Sequence, residues 1–325
     1  MILDAASDVV TVVRSGVLAR EFCRQNARAE VAAVFERSLY LRAGDTFVCL
    51  GAPAIGNGPL TLIADFTLPR LQRGLAASIS ERAIVIGDAV CFTFDQCEPW
   101  QSPRWPLSLS PLQLIDVAKA VAGRMAVEAP VEGLSGLYGG RETPLARVAR
   151  RRIARFESWL CNALETDRVS SDAVQDLIGL GPGLTPSGDD FLVGALALLD
   201  ALAETKAHVA VASAINTSPR GLTSALSGCL LRAAAASHVG ENLHSAIAAL
   251  ISGDVDAAVA AIRNIGHSSG WDMLAGAATT LQVVATARSD PSGTNALWCD
   301  LPRSGSLSPL GERVGVRGLP LHRDL

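Results

Sequence analysis

Two aspartates stand side by side in GLGPGLTPSGDDF, Gly179 to Phe191, where four glycines and two prolines lead into a long apolar run. Ser187 followed three residues later by Asp190 has the layout of a capping box, and acids in a first turn suit the positive end of a helix dipole. The spacing from Gly183 to Gly188 imitates the glycine frame of a P-loop, but Asp189 and Asp190 stand where the phosphate-neutralising lysine and its Ser or Thr would be. Nucleoside triphosphate chemistry of that kind is excluded on charge.

A second stretch, IGHSSGWDMLAGA, residues 265 to 277, repeats the arrangement. Ser187-Gly188-x-Asp190-x-Leu192-x-Gly194-Ala195 aligns with Ser269-Gly270-x-Asp272-x-Leu274-x-Gly276-Ala277, six matches over nine positions. If both serines open helices, Asp190 and Gly194 share one face, as do Asp272 and Gly276. Glycines there let two helices approach to the usual ~8–10 Å or less, bringing two N-termini and two carboxyls to one place. The candidate binding residues are therefore Gly181, Gly183, Thr185, Ser187 and Gly188 in the first loop and Ser268, Ser269, Gly270 and Asp272 in the second.

Backbone N–H groups at such a point hold small anions. The carboxyls of Asp189, Asp190 and Asp272 could accept from an amide NH2 group or hold Mg2+ through oxygen, or serve only their own helices. No cofactor is certain, Mg2+ being the one candidate. His267, beside Ser268 and Ser269, is placed to act as a general acid or base, or merely to bond backbone. The catalytic candidates are His267, Asp190 and Asp189.

Other patterns carry less. His238, Glu241 and His244 lie at i, i+3 and i+6, but Gly240 precedes Glu241 and the HExxH spacing is missing, so a capped or solvated turn is expected rather than a metal site. Arg147, Arg150, Arg151, Arg152 and Arg155 stud one helix and read as a solvated face from which one or two could steer an anion. Thr223 is a plausible cap and a weaker candidate for a hydroxyl ligand. Cys229 sits in an apolar helix without a neighbouring base and reads as a small buried hydrophobe.

The elements that must position these residues divide the 325-residue chain. Through residues 1–106, VVTVV, TFVCL, LTLIA, AIVIG and VCFTF are short β-branched runs between turn residues, with one helix expected over Arg28 to Ser38. Four prolines between Pro99 and Pro111 predict an irregular segment wrapping the surface. From 111 to 288 the composition turns to alanine, leucine and arginine at a period near 3.6, predicting helices near 111–126, 143–165, 170–178, 188–204, 207–215, 221–236, 241–252, 254–264 and 270–287. The expected fold class is α+β: an N-terminal β-rich domain, barrel- or sandwich-like, followed by an all-helical C-terminal domain carrying the glycine-rich loops, and a disordered tail over 289–325. SLSPLGERVGVRG in that tail resembles a translated intergenic repeat and is set apart from function.

A net charge of −4 and a pI near 5.8 give no basic field for nucleic acid. MILDAASDVV lacks the layout of a signal peptide, and the apolar run from Phe191 to Ala203 contains Asp200 and falls short of the ~20 residues that span a bilayer. Seven cysteines without a CxxC pair fit a reducing compartment. The expectation is a cytoplasmic protein with no membrane partner.

GLGPGLTPSGDDFLVGALA resembles the signature of the oxamate carbamoyltransferase subunit AllH family, and GHSSGWDMLAG and AIVIGDAVCFTFDQCEPWQSP, Ala83 to Pro103, resemble it in the same order. The resemblance covers roughly residues 10–288. It implies a transferase role in allantoin and purine degradation, converting oxalurate and phosphate to oxamate and carbamoyl phosphate together with two other subunits in a hetero-oligomer. A small anionic substrate, phosphate or a carbamoyl compound, suits paired helix N-termini. The alternative is a non-catalytic binding or scaffold subunit of a multi-subunit metabolic enzyme.

Overall fold

The computed structural model describes residues 8–25, 27–65, 71–140, 142–166 and 169–289. Strand β1 (Asp8–Gly16) runs directly into helix α1 (Val17–Arg24), and β2 (Arg28–Val34), β3 (Ser38–Ala43), β4 (Thr46–Gly51), β5 (Thr61–Ala64), β6 (Ala76–Ile79), β7 (Ala83–Ile86), β8 (Val90–Thr93) and β9 (Glu98–Trp100) follow. The order β5-β4-β3-β2-β6-β7-β8-β1 closes on itself because β1 also pairs antiparallel with β5, Val12 opposite Ala64 and Ser15 opposite Leu62. An eight-stranded barrel results, and β9 adds alongside the second half of β1. Closure removes free sheet edges. Alternate residues such as Leu39 and Leu41, Ile84 and Ile86, and Val90 and Phe92 fill the barrel core together with Phe22 and Cys23 of α1.

Two expectations fail here. Arg28–Val34 is a strand rather than the start of a helix: its alanines and glutamate favour a helix locally, but β3 on one side and β6 on the other take up its backbone. The helix lies earlier, as α1, where Ala19, Phe22 and Cys23 form a buried stripe. The proline-rich segment is also less irregular than expected, since Pro99 sits in β9 at the outermost position of the strand order, where a missing N–H is tolerated.

The segment from 101 to 110 is then a strap without regular structure. Trp105 stacks on His244 with ring centroids 4.0 Å apart and donates its indole N–H to Asp200 at 2.8 Å. The one acid inside the apolar run at 191–203 thus anchors the strap.

Ten helices are described in all, and nine follow the strap: α2 (Pro111–Glu128), α3 (Pro144–Glu165), α4 (Asp172–Gln175), α5 (Ser187–Ala201), α6 (Thr205–Asn216), α7 (Ala225–Ala235), α8 (Glu241–Ser252), α9 (Val255–Ile262) and α10 (Ser269–Ser289). Every residue from Ser187 to Leu199 of α5 and from Gly270 to Leu281 of α10 is buried. Helices covered on all sides form the centre of a bundle. Here α2 and α3 pack on α10, and α6, α7 and α8 on α5. The tail expected over 289–325 lies, beyond Ser289, outside the described residues, as does Cys299; the six described cysteines are free thiols. Among the described residues no helix is long and apolar enough to cross a membrane.

Candidate functional site

The central helices meet through their glycines. A Cβ on Gly194 would overlap the carbonyl oxygen of Met273, and one on Gly276 would overlap that of Phe191. Met273 and Phe191 occupy equivalent positions in the two S-G-x-D-x-L-x-G-A segments, so the contact is reciprocal. The same holds before each helix. The amide of Gly188 donates to the carbonyl of Leu180 at 2.8 Å, and that of Gly270 to Ile265 at 2.9 Å. A Cβ on Gly188 would strike the carbonyl of Leu177, and one on Gly270 that of Ile262. The sequence echo is therefore a structural duplication packed against itself.

This crossing brings the two loops together. The hydroxyls of Thr185 and Ser269 lie 3.1 Å apart. Asp190 faces Ser269 and Thr185, while Asp272 faces Ser187, so each helix turns its carboxyl toward the serine that opens the other. Both aspartates are buried. Burial, first of all, pushes the Asp190 carboxyl well above its ordinary range, with the neighbouring Asp272 and Asp189 adding to the rise; it pushes Asp272 up to about 6. Neither forms an ion pair among the described residues.

Asp272 is held by residues to which the sequence had given no role. Its Oδ1 accepts from the amides of Leu134 at 2.7 Å and Ser135 at 3.0 Å, in the turn-rich stretch between α2 and α3. Gly133 has φ +86° and a Cβ there would come within 2.5 Å of the carboxyl, so only glycine lets this turn close over it. The run EGLSGLYGG, 132–140, was the available signal: turn residues that belong to neither flanking helix.

Asp189 turns the other way. It accepts from the Gly179 amide at 2.8 Å, from the Ser227 hydroxyl at 2.6 Å and from the Thr223 hydroxyl, so its capacity is spent inside the protein. Thr223 also lines a cavity of about 570 Å3 with Arg220 and Arg232.

Several capping expectations are corrected. Pro186, not Ser187, is the N-cap of α5, and Ser187 is its first helical residue with no capping bond, because the Pro186 carbonyl already takes the amides of Asp189 and Asp190 at 2.9 and 3.2 Å. Ser224 rather than Thr223 caps α7, accepting from the Ser227 amide at 3.0 Å.

The rim above the aspartates is open. Gly183 and His267 are exposed, and Gly181, Thr185, Ser268 and Ser269 half-buried. The amides of Gly181, Gly183, Leu184 and Thr185 have no hydrogen-bond acceptor among the described residues, whereas those of Gly188 and Gly270 are engaged. The loop therefore carries unspent donors. His267 stands with its Nε2 3.9 Å from Glu132.

Several other candidates have partners within the fold. Glu241 accepts from the Asn57 amide and side chain at 2.9 and 2.8 Å, and a ring nitrogen of His244 lies 2.9 Å from the Pro103 carbonyl, which ties α8 to the barrel and the strap. Arg150 pairs with Glu142, and Arg155 with Asp176. Cys229 is buried.

The stretch that holds the duplication also carries a family likeness. Residues 177–281 match the family model of the oxamate carbamoyltransferase subunit AllH. The AllH match, about a third of the chain, spans both loops, the whole of α5 and most of α10, and the resemblance carried by the two glycine-rich motifs holds over that stretch. Ala83 to Pro103 lies outside it. No solved structure matches the chain.

Proposed function

We propose that this chain acts as a subunit of a carbamoyltransferase that converts oxalurate and phosphate to oxamate and carbamoyl phosphate, and that the compact anion sits on the rim formed by residues 181–185 and 266–269. The supporting observation is that Thr185 and Ser269, 3.1 Å apart, join the two loops inside the stretch that matches AllH. Unspent loop amides suit an anion, and the same donors would stabilise the oxyanion that develops when a phosphate oxygen attacks the carbamoyl carbon. The new C–O bond forms as the C–N bond to the oxamate nitrogen breaks, and His267 supplies the proton that nitrogen needs. Oxamate and phosphate are small and charged, which suits a shallow rim better than an enclosed apolar pocket. Two partner subunits, a place in allantoin and purine nitrogen degradation, and a cytoplasmic location accompany this reading.

The decisive experiment reconstitutes the chain with its partner subunits and follows oxalurate-dependent formation of carbamoyl phosphate. Gly183 is exposed at φ +98°, and although a Cβ there meets no atom within 4 Å, Gly183→Val strains the backbone; it should depress turnover by reshaping the loop, with the melting temperature followed alongside to separate loss of fold. Turnover unaffected by changes at Gly183 and His267 would instead select the scaffold reading. That second reading draws on the deep burial of Asp189, Asp190 and Asp272 and on the engaged amides of Gly188 and Gly270.

A further inference from the structure

We propose that a hard divalent metal ion binds between the carboxyls of Asp190 and Asp272. Three shielded oxygens in this small region have no hydrogen-bond partner: Oδ2 of Asp190, Oδ2 of Asp272 and Oγ of Ser135. Ser135 is independent of the acid pair. It comes from the turn after α2, is fully buried, donates its amide to Asp272, and directs its hydroxyl at the same carboxyl without closing a bond. Leaving one such oxygen unpaired is costly, and leaving three together marks a place where something belongs.

The chemistry of that occupant follows from the donors. Besides the two carboxyls, the hydroxyls of Ser187, Ser269 and Thr185 face the pair. No group of three His, Cys, Asp or Glu side chains gathers among the described residues, so hydroxyl and backbone oxygens would have to complete the shell around the two carboxyls. An all-oxygen set with two formal negative charges suits Mg2+, Mn2+ or Ca2+ and disfavours Zn2+ and Cu2+. One shared proton would neutralise a single charge and join the two carboxyl oxygens, leaving the Ser135 hydroxyl without a partner. A dication neutralises both carboxylates and takes all three unpartnered oxygens. The substrate itself cannot reach atoms shielded beneath the rim unless the loops part, whereas a bare ion is small enough to be enclosed. The duplication explains the arrangement: two equivalent helix starts each contribute one aspartate and one serine to a single point. This inference is independent of the carbamoyl-transfer reading, since an ion would bind there whether or not the chain is catalytic.

The test uses the full chain stripped with a chelator and titrated with Mn2+, free Mn2+ being read by electron paramagnetic resonance. One Mn2+ per chain, displaced by Mg2+ or Ca2+ and accompanied by a rise in melting temperature, is expected. Asp190→Asn and Asp272→Asn should each weaken binding at least about 10-fold, and Ser135→Ala by less, with unchanged circular dichroism. A folded chain that takes up no Mn2+ at millimolar concentration overturns the proposal. So does affinity unchanged in both Asn variants, or, if these do not fold, affinity unchanged in both Ser135→Ala and Ser269→Ala. Metal binding without carbamoyl transfer would sink only the functional reading.

Discussion

The hydroxyl of Thr185 stands 3.1 Å from that of Ser269, joining the loop before one central helix to the first residue of the other. This contact exists because two glycines, Gly194 and Gly276, let α5 and α10 touch backbone to backbone a little further along. The position of the rim therefore depends on residues well inside the bundle.

Gly194→Ala and Gly276→Ala should each destabilise the protein by roughly 1–3 kcal/mol, since the added methyl meets a carbonyl that belongs to the facing helix and cannot rotate aside. Urea denaturation measures this. A midpoint equal to that of the parent protein would mean the helices are not in backbone contact.

Asp189 accepts three hydrogen bonds in a buried setting, so Asp189→Ala leaves the Gly179 amide and two hydroxyls without their acceptor. The expected loss is roughly 3–5 kcal/mol of stability. Chemical denaturation of the purified variant is the measurement, and a near-neutral result would remove Asp189 from the framework of the loop.

His267 is different because it is exposed, with its Nε2 3.9 Å from a Glu132 carboxyl oxygen. His267→Ala should leave the melting temperature within about a degree or two while lowering carbamoyl transfer by about 100-fold or more, the usual scale of general acid–base catalysis. Paired thermal melts and turnover assays separate the two effects. A fall in stability without a specific loss of turnover would assign the residue to structure.

Stability should fall in acid through His244 and His208. Burial lowers both imidazoles below their ordinary value, against the opposing pull of Asp200, so the unfolded chain binds protons that the folded one does not. The sign is that of a depressed folded-state pKa: stability is full above about pH 6.5 and is lost as the pH drops below it. Denaturation midpoints between about pH 5 and pH 7 should show this slope, reduced in His244→Phe, which keeps a ring on Trp105. An equal slope in the variant would place the effect elsewhere.

Local pattern was enough for much of this protein. The 3.6-residue period of the C-terminal half located its helices closely, as with α8 at Glu241–Ser252 and α6 at Thr205–Asn216, because a bundle helix records its buried faces in its own sequence. The S-G-x-D-x-L-x-G-A echo marked the two helix starts, and its glycines foretold a close crossing. Short β-branched runs set between turn residues gave away β4, β5, β7 and β8.

Pairing between distant segments was not legible in this way. Ala29 to Val34 has a helical composition and became a strand only because β3 and β6 flank it; closure of β1 on β5 is likewise a contact across some fifty residues that neither strand announces. The same limit applies at the site. Types and spacing nominated Asp189, Asp190 and Asp272 alike, yet packing set Asp189 among Thr223 and Ser227, and set Asp190 and Asp272 face to face beneath Ser135. A side chain's neighbours along the chain fix the helix it sits on, but the direction it faces in the folded molecule depends on which other helix, turn or strand covers it, and that is decided only when the whole core closes.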